Sequence, residues 1–220
     1  MELYYLLGGI GVALILAAVL AIVLKKRKNA RSGRQGEKKV ARILRNFAML
    51  RGFKVINGLY LPLYDKTTEI DHILIGYFGM IVIETKNCHG EVYGDEKQDQ
   101  WTHLVGKSKT KHTLYNPVKQ NQTHIDCIRH IFVKEQIYKV NIENLVVFTG
   151  KKLQLNVGRS MPIIQVRQLK KYLHKSKYAE DKGIDVDKIY DTLMRYRVTD
   201  PKLLRQHNKN VWEIEQGKLK

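Results

Sequence analysis

The sequence predicts an α/β fold: a mixed central sheet of about four to six strands flanked by helices, preceded by a single N-terminal transmembrane helix. Three observations carry this expectation. Two β-rich runs, Glu69–Ile75 and Met80–Lys86, flank the loop Gly76-Tyr77-Phe78-Gly79, a hairpin signal. Two helical patterns bracket them at Glu37–Met49 and from Asn116-Pro117 to about Gln136. Leu3–Leu24 is a run without a charged side chain.

That run would be about 33 Å long as a helix, against a hydrocarbon core of about 30 Å. It meets Lys25-Lys26-Arg27-Lys28, a cluster that stays on the cytoplasmic side. A cleaved signal peptide would want positive charge before the apolar run, and the only early charge is Glu2. The expected organisation is therefore an anchor over 1–24 and a basic juxtamembrane linker over 25–36. A folded domain over 37–150 and a strand and helical extension over 151–220 follow. The domain lies in the cytoplasm.

In the first helix, Val40, Ile43, Leu44 and Phe47 fall at i, i+3, i+4 and i+7, and Gly52 ends it. Phe53–Leu63 reads as one strand, followed by a turn around Asp65-Lys66. Glu91–Tyr93 and Gln100–Val105 are shorter strands, and Lys107–Lys111 is a basic loop. Pro117 suits the first turn of its helix. Asn144–Thr149 is a buried strand and Pro162–Val166 a further one. Gln168–His174 and Asp187–Arg197 return to helical pattern. Past Asp200-Pro201 the tail is too polar to pack deeply.

With 39 Lys plus Arg against 21 Asp plus Glu, the net charge is +18. A hydrophobic fraction of 44% excludes a disordered chain, and the confinement of the apolar run to one place excludes a polytopic membrane protein. Such charge points to polyanions, either nucleic acid or an anionic membrane. Two cysteines, Cys88 and Cys127, are too few for a disulfide framework and imply a reducing compartment.

The chemistry gathers at Asp71 and Glu84-Thr85-Lys86. Strand alternation puts Glu84 and Lys86 on one face. If Ile75 pairs with Met80, Asp71 falls opposite Glu84, with Cβ atoms roughly 5 Å apart. Two opposed carboxylates repel, and a shared divalent cation removes the repulsion. Oxygen ligands favour Mg²⁺ or Mn²⁺ over zinc. Lys86 beside them would hold a water or offset charge on a phosphate, as in metal-assisted hydrolysis. The apolar run Met80–Ile83 makes a solvated surface ion pair a poor account of Glu84.

Asp71 and Glu84-Thr85-Lys86 match the PD-(D/E)xK nuclease signature, with Ile70 in place of its proline. The chain resembles the nuclease-related domain (NERD) of that superfamily through five stretches in order. These are Gly33–Glu37, Glu69–Ile73, Ile81–Asn87, Gly90–Gly94, and Trp101 with Asn116–Gln120. The resemblance implies a restriction-endonuclease-like sheet and a nuclease acting on nucleic acid; DNA is favoured over RNA as the substrate. It implies Asp71, Glu84 and the Thr85 carbonyl as metal ligands and Lys86 as the residue that positions the water. Glu37 and Gln120 would reach the site from the first and following helices. Two alternatives remain open at this point: a tethered module that binds nucleic acid without cutting, and a basic membrane-surface protein. Oligomeric state is undetermined. Cys88, His89 and His124 read as ordinary loop or helix-surface residues, and Trp101 as core. Lys107, Lys109, Lys111, Lys119 and Arg129, with Tyr115 among them, are candidates for tracking a phosphate backbone.

Overall fold

In the computed structural model, residues 19–21, 23–24, 32–64 and 66–215 are described, without the side chains of 208 and 210–215. The expected span Leu3–Leu24 and the turn residue Asp65 fall largely or wholly outside these residues. Among the described residues, no helix is long and apolar enough to cross a membrane.

The elements are α1 (32–48), β1 (Lys54–Leu63), β2 (Lys66–Gly76), β3 (Gly79–Lys86), β4 (Gly90–Gly94), β5 (Gln100–Val105) and β6 (Thr110–Tyr115). Then come α2 (Pro117–Lys134), β7 (Ile142–Phe148), β8 (Leu153–Val157), β9 (Ile163–Gln165), α3 (Val166–Leu173), α4 (Val186–Arg195) and α5 (Pro201–Glu215). The main sheet has the order β1-β2-β3-β7-β9. Its first three strands are antiparallel, whereas β7 runs parallel to both β3 and β9.

The central strand β3 is buried on both faces, as its apolar run requires. On one face, Val82 and Met80 pack with Ile125, Ile128 and Ile131 of α2 and Ile189 of α4. On the other, Ile81 and Ile83 pack with Val40 and Leu44 of α1 and Leu169 of α3. The β2–β3 register is Ile75↔Met80, and Gly76↔Gly79 extends it, so the connecting loop is two residues rather than four.

Gly58, at φ 61°, changes the pleat of β1. Ile56 shares the α2 face with Leu59 and Leu61, which a regular period of two forbids. Ile70 and Ile73 show the same change on β2. The register places this break opposite Asp71, between Asn57↔His72 and Leu59↔Ile70.

Two expectations need correction. The stretch through Gly36, expected as linker, is helical from residue 32. Glycine disfavours helix, but Gly36 allows a contact that a side chain would block: a Cβ there would lie 2.3 Å from Thr149 Oγ1. Asn87 Nδ2 also holds this end of the helix, donating to Ser32 O (2.7 Å) and Oγ (2.8 Å). Second, a separate four-stranded sheet, β6-β5-β4-β8, stands beside the main one. Its strand β6 occupies part of the expected basic loop, and β8 was not foreseen. The alternation of Leu153, Leu155 and Val157 against Val92 and Trp101 was the available signal. The polar tail forms α5 and, as expected, does not pack deeply: none of residues 201–207 is buried, although His207 Nδ1 lies 2.8 Å from Thr67 O and its ring stands edge-on to Tyr60.

Gly150 ends β7 against backbone: a Cβ there would sit 1.3 Å from the Cys88 carbonyl oxygen. Gly158 has only ordinary contacts, the nearest at 3.6 Å. In urea unfolding, Gly150→Ala should cost about 2–3 kcal/mol or more, and Gly158→Ala less than about 0.5 kcal/mol.

Candidate active site

The site lies where β3 leaves the sheet, between the strand ends and the start of α2. Asn116 fixes that start. Its side-chain oxygen caps α2 by accepting from Val118 N (3.0 Å) and Lys119 N (3.3 Å), while its Nδ2 donates to Gln98 O (2.8 Å). One turn on, buried Asn121 donates to Val82 O and to Asn144 Oδ1, both at 2.8 Å. These bonds set the rotation of α2 and turn Gln120 and His124 toward β3.

The last β2–β3 pair is His72↔Ile83. Beyond it the ladder gives way to a side chain: Thr85 N–H donates to Asp71 Oδ2 at 2.8 Å. Glu84, 3% exposed, places Oε1 2.7 Å from Lys86 Nζ. Lys86 Nζ donates to Gln120 Oε1 at 2.9 Å. Glu84 Oε2 lies 3.4 Å from His124 Nε2 and makes no hydrogen bond. Thr68 Oγ1 holds the other ring nitrogen of His124 at 2.8 Å.

The charges are strongly coupled. Burial works against ionised Glu84, but Lys86 and His124 outweigh it and bring its pKa down to about 2. Burial likewise opposes the Lys86 ammonium, and Glu84 and Asp71 outweigh it, so its pKa is raised. Lys86 is therefore a cation at neutral pH. With two donors committed, one N–H remains for a water or a phosphate oxygen. Asp71 moves the other way: burial and the Glu84 charge raise its pKa well above the carboxylate range, against the Thr85 N–H and Lys86.

Glu37 is half-buried on α1. Burial, then Glu69 and Glu84, raise its pKa. The structure thus brings Asp71, Glu84, Lys86 and Gln120 into one patch, with Glu37 within electrostatic reach. Of Thr85 it records the N–H on Asp71 and a buried Oγ1 without a partner.

Several residues stand differently from the sequence expectation. His124 is buried beneath Glu84 rather than on the helix surface. Its i+4 spacing from Gln120 was the signal, but an alternative solvent face fitted the spacing equally well. Tyr60 and Glu69 pair across β1 and β2 and join the acidic cluster; burial and the bond to Glu69 raise the Tyr60 phenol. Cys88 is buried, and its thiol is pushed up to about 11, which makes it a poor nucleophile. Trp101, by contrast, is core as expected, 1% exposed. Among the basic candidates, Lys119 is tied to Asp99 at 2.6 Å and Lys109 to Glu91 at 3.2 Å. Lys107 and Lys111 stand exposed on the β5–β6 hairpin.

The residues present suit a hard divalent cation. Asp71 resists ionising because burial and the Glu84 charge outweigh the Thr85 N–H and Lys86, and Glu84 Oε2 is buried without a hydrogen bond. Among the described residues, no three His, Cys, Asp or Glu side chains form a ready cage. A pair of carboxylates supplemented by water is the manner of Mg²⁺, and it does not suit structural zinc.

Two outcomes are expected. A raised folded-state pKa at Asp71 gives stability that is full below its unfolded value and lost as pH rises through the folded one. Asp71→Asn, which keeps an acceptor for Thr85 N–H, should therefore raise the melting temperature of metal-free protein at pH 7 to 8. A lower midpoint there would contradict the strain. His72 behaves oppositely. Its Nδ1 lies 2.7 Å from Asn57 Oδ1, and burial lowers its pKa from 6.5 to about 4. That stability is present above pH 6.5 and falls away toward pH 4, amounting to about 3 kcal/mol. Urea titrations of His72→Gln should lack most of this loss.

A family model for the nuclease-related domain matches residues 32–149. An uncharacterized protein of Bacillus anthracis is 30% identical over 200 residues, covering 89% of this chain and 92% of its own. No solved structure matches at a significant level. The match spans α1 through β7, the segment that carries every residue of the site, and the chain belongs to the nuclease-related domain (NERD) family.

Proposed function

We propose that this chain is a metal-dependent nuclease that hydrolyses phosphodiester bonds of nucleic acid, DNA in preference to RNA. The observation that carries the reading is the convergence of Asp71, Glu84, Lys86 and Gln120 at one strand end. Asp71 and Glu84, with the Thr85 carbonyl, would hold Mg²⁺ or Mn²⁺. When bound, such a cation would polarise a phosphoryl oxygen and acidify a water. Lys86, kept cationic by Glu84, would donate its remaining N–H to the attacking water or to the phosphate. Gln120 would fix the Lys86 ammonium in line, and His124 would hold Glu84 from behind. Glu37 would add a third carboxylate from α1.

The cellular setting is part of the same proposal. The uncharged run Leu3–Leu24 would anchor the chain in the cell membrane, and the Lys25–Lys28 cluster would keep the domain on the cytoplasmic side. These features support the anchor from sequence.

The test is hydrolysis of duplex and single-stranded DNA and of RNA by the full chain with Mg²⁺ or Mn²⁺. Lys86→Ala should lower turnover by about 10²–10³. Asp71→Asn should abolish both turnover and any metal-induced rise in melting temperature. Its expected stability without metal removes unfolding as an explanation. Equal turnover in all three proteins would defeat the assignment.

A further inference from the structure

We propose that the outward face of the α1/α3 layer docks on an anionic phospholipid surface. The two helices pack on the same side of the main sheet, in one apolar cluster of Val40, Leu44, Leu169 and Leu173. They touch near their C-terminal ends, where Phe47 meets His174 edge-on with ring centres 5.4 Å apart. Their inward faces are thereby fixed, and their outward faces form one surface.

That surface is cationic in an uneven way. Residues 38–51 hold five Lys or Arg and no Asp or Glu, and residues 166–178 repeat those numbers. Lys38, Arg42 and Arg45 are exposed on α1, and Arg167, Lys170 and Lys171 on α3. None of these six forms an ion pair among the described residues. Solvated protein faces usually intersperse the two signs. Across the sheet, the layer of α2 and α4 does so, with Asp126, Asp187 and Asp191 among its lysines and arginines.

Three observations favour lipid over nucleic acid as the occupant. Glu84 and Lys86 meet Gln120 and His124 of α2, on the other face of the sheet, and α1 approaches the site with Glu37, whereas Lys38, Arg42, Arg45 and the three α3 cations stand exposed and, among the described residues, make no bond to any site residue. Met49 and Leu50, 73% and 83% exposed, stand directly after α1 among the cations. A mixture of cations and free apolar side chains fits the headgroup and acyl boundary, whereas a phosphate backbone offers the apolar side chains nothing. The α1 half of the face also follows closely in sequence on the uncharged run Leu3–Leu24 and its basic flank. The inference does not depend on whether the site cuts.

The experiment uses the full chain with vesicles of phosphatidylcholine alone or with about 30 mol % phosphatidylglycerol. Mass spectrometry reads the amine-reagent labelling of Lys38, Lys170 and Lys171, with Lys188 of α4 as the reference. Phosphatidylglycerol should protect the three lysines by about threefold or more relative to Lys188, and about 0.5 M NaCl should remove that protection. The exposed triple variant Arg42→Glu/Lys170→Glu/Lys171→Glu should lose protection at Lys38 with an unchanged melting temperature. Equal labelling on both vesicles would overturn the proposal. So would protection of these lysines by duplex DNA and not by phosphatidylglycerol, which would make the face a nucleic-acid surface. Flotation with phosphatidylcholine alone reads the anchor separately, and nuclease assays read the site.

Discussion

Glu84 sits on a strand that has no solvent face, and much of the structure answers to that fact. A carboxylate buried between two helical layers costs several kcal/mol unless charge and hydrogen bonds surround it. Here Lys86, two residues on and therefore on the same face, supplies the cation at 2.7 Å. His124 stands behind the other oxygen, and Gln120 holds the lysine from the opposite side. Those two helix residues reach the strand only because Asn116 and Asn121 fix where α2 begins and how it is rotated. The capping and anchoring bonds are thus part of the electrostatics.

Asp71 is the unbalanced member. Its neighbours compensate Glu84 first, and the aspartate is left with a main-chain N–H and a share of the Lys86 charge. The irregularity at Gly58 lies directly opposite it, where both strands exchange faces. A site that keeps one carboxylate uncompensated beside another stores electrostatic strain that a ligand of opposite charge relieves. That is the physical link between the stability of this chain and its proposed chemistry. The cation excess elsewhere does nothing for it, because unpaired lysines on the far side of the sheet are screened by solvent.

The division of the molecule by the sheet separates two kinds of positive charge. Lys86 is buried, paired and directed. The α1/α3 cations are exposed, unpaired and collective. The net charge of +18 contains both, and only the layering tells them apart.

Much was legible in the sequence where local rules act alone. The continuous apolar run Met80–Ile83 marked β3 as central, and the paired glycines marked the hairpin register that brings Asp71 toward Glu84. Asn116-Pro117 marked the start of α2 because capping is a local bond. Legibility failed where a distant contact overrode local preference. Gly36 is helical because Thr149 and Asn87 lie against it, and nothing near residue 36 in sequence announces them. The small second sheet depends on the parallel pairing of β4 with β8, about sixty residues apart. His124 has the spacing of a surface residue and also of a buried one. The sequence alone determined which residues carry charge and which strand is buried, since composition and periodicity are properties of the chain. Which charges compensate one another, and which are left over to meet a ligand, was decided by tertiary structure. Electrostatic interaction depends on separation in space and on burial, and the fold sets both.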